Sequence, residues 1–261
     1  MVNFIFFLIS LLATTVGAIS GIGGGVIIKP VLDAFGLLSV STISFLSGCT
    51  VLSMAVVSLL KSRGSGVKLE VRKSTYLAIG AAVGGLLGKY LFDWLKGLFA
   101  GDAVVGATQS ALLVAMTVFV FFFVRYKEKV KPKQVENSAA CLLIGLALGM
   151  VSAFLGIGGG PINIAVLYYF FSMDSKTSAR NSIYIILFSQ IASLVRTIAA
   201  GAVPDFDPWL LALMIAGGIG GGFLGSFLSR KLTNRGVDRL FSGVMLVIIL
   251  VSCYNFVRFV I

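Results

Sequence analysis

Two stretches, Ser20-Gly21-Ile22-Gly23-Gly24-Gly25-Val26-Ile27-Ile28 and Leu155-Gly156-Ile157-Gly158-Gly159-Gly160-Pro161-Ile162-Asn163, sit in the middle of long uncharged apolar runs. Each must break a helix. In lipid a broken helix is costly, because the hydrocarbon offers no partner for the freed N–H and C=O groups. Such a break persists only where protein or a water-filled cavity surrounds it. Two copies in corresponding positions of two halves point to an architecture of internal repeats with a site between the breaks.

Composition places the whole chain in the bilayer. Mean hydropathy is +1.03, with 58% hydrophobic and only 12% charged residues. Uncharged runs long enough to span a bilayer, roughly 20 residues, recur at 42–60, 74–88 extended to 95, 103–124, 208–229 and 240–257. The run 177–198 is interrupted only by Arg180 and Arg196 near its ends. The N-terminal apolar run has no basic n-region and no small-residue cleavage pattern before the glycines, so it is expected to be mature structure. The expected class is an all-α polytopic membrane protein.

The net charge of +11 does not indicate nucleic acid as a partner. Fourteen of the 21 Lys and Arg fall in three short segments: Lys61, Arg63, Lys68, Arg72 and Lys73; Arg125, Lys127, Lys129, Lys131 and Lys133; Arg230, Lys231, Arg235 and Arg239. Short basic loops beside spans mark the cytoplasmic face, so 61–73, 125–137 and 230–239 are assigned there, against anionic lipid headgroups. The loop Asp205–Asp207 then lies outside. Cys49, Cys141 and Cys253 all lie in apolar spans, and the chain has no histidine and no C-x-x-C. A conventional zinc site and a disulfide framework are excluded, and no cofactor is expected.

The two glycine motifs align at an offset of 135 residues, and the match continues without gaps. Thr42 pairs with Thr177, Ser47 with Ser182, Ser58 with Ser193, Lys61 with Arg196 and Gly66 with Gly201. After a small insertion, Gly84-Gly85-Leu86-Leu87-Gly88 matches Gly221-Gly222-Phe223-Leu224-Gly225. The chain therefore divides into a first transmembrane repeat at 1–125, a basic cytoplasmic linker at 126–137 and a second repeat at 138–261. With the basic loops inside, parity requires each glycine-broken segment to begin and end on one side. The economical solution is a re-entrant hairpin followed by three transmembrane helices, with the two repeats inverted. Two full but short spans per hairpin satisfy the same parity.

Glycine at the tips allows positive φ and close backbone approach. Pro161 fits the first turn of a helix, where its missing N–H is no loss. Each tip thus leads into a helix N-terminus, whose unpaired N–H groups and dipole suit an anion. Gly23, Gly24, Gly25, Gly158, Gly159, Gly160 and Pro161 are the candidate cradle. The alternative is that the motif only permits tight helix packing, the reading preferred for Gly84–Gly88 and Gly217–Gly225. Lys29, four residues past the first tip, faces apolar Ile164 at the matching place in the second half. An intramembrane cation is a functional candidate by default; its competing role is a local pair with Asp33 one turn on. Asn163 is either an anion donor or an interhelical hydrogen bond. Cys49, Thr50 and Gln190 are candidates for lining the path, against their bland reading as packing.

The paired tips Gly21–Gly25 and Gly156–Gly160, with Pro30 and Pro161, in a basic chain of two hairpins and six spans, resemble the TauE/SafE family of sulfite exporters and organosulfonate permeases. The resemblance covers nearly the whole chain. It implies transport of a small inorganic or organic sulfur-containing anion (sulfite, a sulfonate or a related oxyanion) across the cytoplasmic membrane, usually outward. Rival classes fare worse. Without histidine a Ser–His intramembrane protease is excluded, and Asp33 and Asp93 lie in different segments and do not form an aspartyl pair. A non-transporting scaffold has no use for two polar breaks, and an anion channel of the same architecture remains the alternative to a carrier.

Overall fold

The structure, a computed structural model, describes residues 2–62, 66–98, 102–155 and 159–260. Gly158 of the candidate cradle and Arg63 of the first basic loop lie outside the described residues. Every regular element among the described residues is helical, as the apolar periodicity requires. They are α1 (Val2–Ser20), α2 (Gly25–Phe35), α3 (Val40–Lys61), α4 (Val71–Leu98), α5 (Asp102–Tyr126), α6 (Ser138–Leu155), α7 (Gly160–Phe171), α8 (Ser175–Ala199), α9 (Pro208–Lys231) and α10 (Asn234–Val260), with a 3₁₀ turn at Lys127–Lys129. Among the described residues α1, α3, α5, α6, α8, α9 and α10 are long and apolar enough to cross a bilayer. Helix α4 has the length, at 28 residues, with five glycines and Lys89 diluting its apolar run.

The element order recurs with the sequence offset. Helices α2 and α7 start 135 residues apart, as do α3 and α8. The caps match as well. The Ser39 hydroxyl accepts from the Thr42 N–H at 3.1 Å, and the Asp174 carboxylate accepts from the Thr177 N–H at 2.8 Å. Each such cap is worth about 1 kcal/mol. Past the ends of α3 and α8, Gly66 and Gly201 both adopt positive φ, at 74° and 60°.

Both glycine breaks form helical hairpins with unequal arms. The long arms α1 and α6 have 19 and 18 residues; the short arms α2 and α7 have 11 and 12. At 1.5 Å per residue the short arms reach only about 17–18 Å, against about 30 Å of hydrocarbon. The second hairpin begins and ends at one end of the molecule. The N–H groups of Lys133 and Val135, just before α6, donate to the Tyr169 and Phe170 carbonyls at the end of α7, at 2.6 and 2.9 Å. Those carbonyls are helix-end orphans that need such partners.

The basic stretches gather at one end. Arg230 donates to the Lys61 carbonyl, Arg180 to the Val67 carbonyl, and Lys127 pairs with Asp238 at 2.6 Å. At the opposite pole, Thr42 at the start of α3 donates to the Asp205 carbonyl. The stretch 230–239, expected as a loop, is largely helix: α9 runs to Lys231 and α10 starts at Asn234. Val237, buried inside that basic sequence, is the residue that holds it on the helix.

The halves interlace. The long arm α1 of the first hairpin packs on α9 of the second half, and α6 packs on α4 of the first. Glycine makes this possible. Gly217, Gly221 and Gly225 of α9 press on the backbone carbonyls of Phe7, Leu11 and Thr15, while Gly80, Gly84 and Gly88 of α4 press on those of Leu142, Leu146 and Met150. Without a hydrophobic drive between helices in lipid, such small-residue contact is what brings backbones together. Gly85, within the same sequence cluster, faces open space. Gly84→Ala and Gly221→Ala are therefore expected to cost about 1–3 kcal/mol by overpacking and to lower the melting temperature in detergent, with Gly85→Ala unchanged. Equal behaviour of all three would refute the stripe.

Candidate functional site

At the first tip Gly21 and Gly23 take φ of 75° and 76°, conformations that only glycine adopts without strain. Gly24 then opens α2 with no side-chain cap. At the second tip Gly159 and Gly160 take φ of 120° and 54°, and Gly159 opens α7, again with no side-chain cap and with Pro161 in the first turn. Both helices therefore present first-turn N–H groups without a side-chain acceptor. Pro30 lies inside α2 instead, where it removes an intrahelical donor.

The tips converge. Ile22 and Val26 from the first share one buried apolar cluster with Leu155, Ile164 and Ala165 flanking the second, closed by residues of α5 and α10. On the other side stands Ile186 of α8: a methyl on Gly23 would lie 3.1 Å from it, and one on Gly159 would lie 3.0 Å from it. The Ser182 hydroxyl of α8 donates to the Gly21 carbonyl at 2.6 Å and anchors the first tip. The glycines also serve packing. A methyl on Gly24 would meet Thr14 Cγ2 at 2.7 Å, and one on Gly17 the Gly24 nitrogen at 2.6 Å. At Gly24 the arm-to-arm contact thus demands glycine, while its neighbours' N–H groups form the open helix end.

Asn163 is the polar group at this junction. It is 1% exposed, and among the described residues neither its Nδ2 nor its Oδ1 has a hydrogen-bond partner. Its amide points back to the tip, with Nδ2 2.8 Å from where a Cβ on Gly159 would stand. Leaving such a group unpaired costs about 1–3 kcal/mol. Among the described residues Asn163 makes no interhelical hydrogen bond, the competing expectation for it.

Lys29 is 5% exposed. Its Nζ lies 3.7 Å from Asp33 Oδ2, the local pair expected, and donates to Gln109 Oε1 at 2.9 Å. The Gln109 amide in turn donates to the Phe154 carbonyl at 2.9 Å, on the last turn of α6. One chain of hydrogen bonds thus joins the first hairpin to the second through α5. Asn255 of α10 donates to the Pro30 carbonyl at 2.9 Å, and Arg258 donates to the Asp33 and Ala34 carbonyls, each at 2.9 Å. Lys29, Asp33, Gln109 and Asn255 line a recess of about 330 Å³ with Leu155 on its wall. Sequence inspection passed over Gln109 and Asn255, although each is an amide in an apolar run, the same signal that singled out Asn163.

The remaining candidates sit along α3 and α8. The Thr50 hydroxyl donates to the Leu46 carbonyl at 2.8 Å, and the Thr50 carbonyl lies against Gly218 of α9, a packing position. Gln190 is 8% exposed, with its Oε1 3.2 Å from a methyl placed on Gly48. Cys49 is half-buried on α3.

Two helix starts with no side-chain cap thus lie beside the buried Asn163, inside a bundle of apolar spans. Residues 6–252 match the sulfite exporter TauE/SafE family. The chain belongs to that family. It is also 24% identical over 277 residues to the probable membrane transporter protein YunE of Bacillus subtilis (strain 168), with 94% of each chain covered. No solved structure matches. As a TauE/SafE protein the chain is a multi-pass membrane transporter.

Asn163→Leu tests the junction. It removes two unpaired polar atoms at similar volume, so thermal stability in detergent is expected to stay level or rise, by up to about 3 kcal/mol, while anion affinity falls at least about tenfold. A clear drop in stability with affinity intact would show that the amide is structural.

Proposed function

We propose that this TauE/SafE protein carries small sulfur-containing anions, sulfite or a sulfonate, outward across the cytoplasmic membrane, and that the anion is held between the two glycine tips near the midplane. The observation that carries the reading is the unpartnered, fully buried Asn163 amide at the uncapped start of α7, beside the equally uncapped α2. Helix N-termini bind oxyanions through backbone N–H groups and the positive end of the dipole. A buried amide with a free Nδ2 supplies a further donor and no charge. The sulfite exporter description of the family supplies the anion class.

The two halves are inverted repeats, with the basic stretches cytoplasmic. Support comes from the reciprocal packing of α1 on α9 and of α6 on α4, and from the gathering of the basic stretches at one pole. In such folds alternating access is a rocking of the repeats around a fixed site. The apolar cluster of Ala18, Val51, Met54 and Ile186, on one side of the tips, supports a carrier over an open channel.

Proteoliposomes offered sulfite, sulfate, thiosulfate and small sulfonates are expected to show saturable flux of at least one sulfur oxyanion, suppressed in Asn163→Leu. Flux no greater than in empty liposomes for every anion would overturn the transport reading. In a background lacking Cys49, Cys141 and Cys253, a cysteine replacing Asp205 should react with an impermeant thiol reagent in sealed cells, and one replacing Arg235 should not. Equal labelling would overturn the sidedness.

A further inference from the structure

A second recess, of about 490 Å³, opens at the pole that carries the basic stretches. It is bounded by the last turns of α3 and α9 and the first turns of α8. Its charged lining is Lys176, Arg180 and Arg230, and no acid lines it among the described residues. Of the acids on adjoining segments, Asp174 caps α8 and Asp238 pairs with Lys127, while Glu70 follows Val67 by three residues without lining the recess.

The hydrogen bonds that hold these three cations go to backbone carbonyls. Arg180 donates to Val67, Arg230 to Lys61, and Lys176 to Leu232 at 2.9 Å. Carbonyls orient the heads and leave the charges uncompensated. Among the described residues Arg180 Nε is buried with no partner, a donor without an acceptor. Buried donors of this kind call for a ligand or water, and guanidinium groups match oxyanion geometry. Serine hydroxyls of Ser58, Ser62, Ser226 and Ser229 complete the wall.

The recess leads toward the tips. Ala179 on its wall is the residue on which Gly21 rests, and Ala18 on its wall packs with Val51, Met54 and Ile186. The recess beside Lys29 differs in charge. There the cation is paired with Asp33, so the charged side chains on its lining sum to zero, against three positive charges here.

We propose that the Lys176–Arg180–Arg230 recess is an oxyanion-binding station, separate from the tips, that captures the transported anion at the basic pole and delivers it toward Ile186. The capture role rests on the transport reading above; the binding site itself does not. Three uncompensated charges favour a dianion over a monoanion, because Coulomb attraction scales with ligand charge. A soluble oxyanion and a lipid phosphate share this chemistry, and the occupant proposed is the soluble one.

Calorimetric titration of the protein in non-ionic micelles with sulfate and sulfite tests the site without any flux. In an Asn163→Leu background one anion site is expected to remain, weakened about tenfold, 1.4 kcal/mol, by Arg180→Gln and likewise by Lys176→Gln. Lys176 lies at the solvent edge, so its replacement leaves the fold intact even if Arg180→Gln misfolds. Retained affinity in a folded variant, or no binding in the Asn163→Leu protein, would overturn the recess, whatever the outcome for transport. In oriented phosphatidylcholine proteoliposomes the same variants are expected to raise the half-saturating sulfite concentration about tenfold from the basic pole and less than about twofold from the other. An equal rise from both poles would overturn the capture role. Loss of wild-type sulfite binding on adding phosphatidylglycerol, with no change in the variants, would show a headgroup as the occupant and overturn the soluble-anion assignment.

Discussion

Everything in this fold depends on satisfying backbone polar groups where helices end inside a membrane. A helix that stops at mid-depth exposes up to four N–H or C=O groups, and hydrocarbon pairs none of them. Here the two breaks are placed back to back and walled by helices. The Phe154 carbonyl near the broken end of α6 is met by the Gln109 amide, and the Gly21 carbonyl is met by the Ser182 hydroxyl. These two acceptors therefore find partners from neighbouring helices. The first-turn donors of α2 and α7 have no side-chain cap. Open helix starts of this kind offer hydrogen-bond donors, the sign that suits the anion proposed to sit between the tips.

Walling the breaks requires helices to come unusually close, and that requirement accounts for the glycine stripes. Gly221 rests on the Leu11 carbonyl and Gly84 on the Leu146 carbonyl, positions 135 residues apart on the two long arms. Since each long arm is gripped by the other half, neither hairpin can be removed from its neighbours without unpacking both. A rigid clamp on α1 and α6 leaves the short arms, with their tips, as the parts bounded mainly by side chains such as Ile186, Val26 and Ile164.

Much of this was legible in the sequence, because periodicity and glycine carry it. The break at Gly21–Gly25, the six spans and the start of α7 at Gly160 follow from local rules. The interlacing does not: nothing in Phe7 or Leu11 says that the partner is α9 rather than α4, since both helices carry the same stripe. Lys29 and Asn163 were visible as intramembrane polar residues, but their fates diverged for reasons only packing reveals. Lys29 found Gln109, 80 residues away in sequence, whereas Asn163 found no partner among the described residues. Thr50, chosen on the same grounds, returned its hydroxyl to its own helix, as threonine in an apolar helix commonly does.

The departure of the two halves from one another then acquires a physical meaning. Lys29 stands where the second half has Ile164, so only one short arm carries a charge, and that charge is joined through Gln109 to the carbonyl of Phe154 beside the opposite tip. The link runs from the short arm α2 through α5 to the long arm α6, so any movement of α2 relative to α6 must stretch or break it. A buried ammonium cannot be left without acceptors, and breaking one partner of such a group costs several kcal/mol. Asp33, one turn away on the same arm, moves with Lys29 and remains an acceptor throughout. The pair therefore gives the ammonium an acceptor on its own arm besides Gln109, so the polar tie between the hairpins is not the ammonium's sole support inside the membrane.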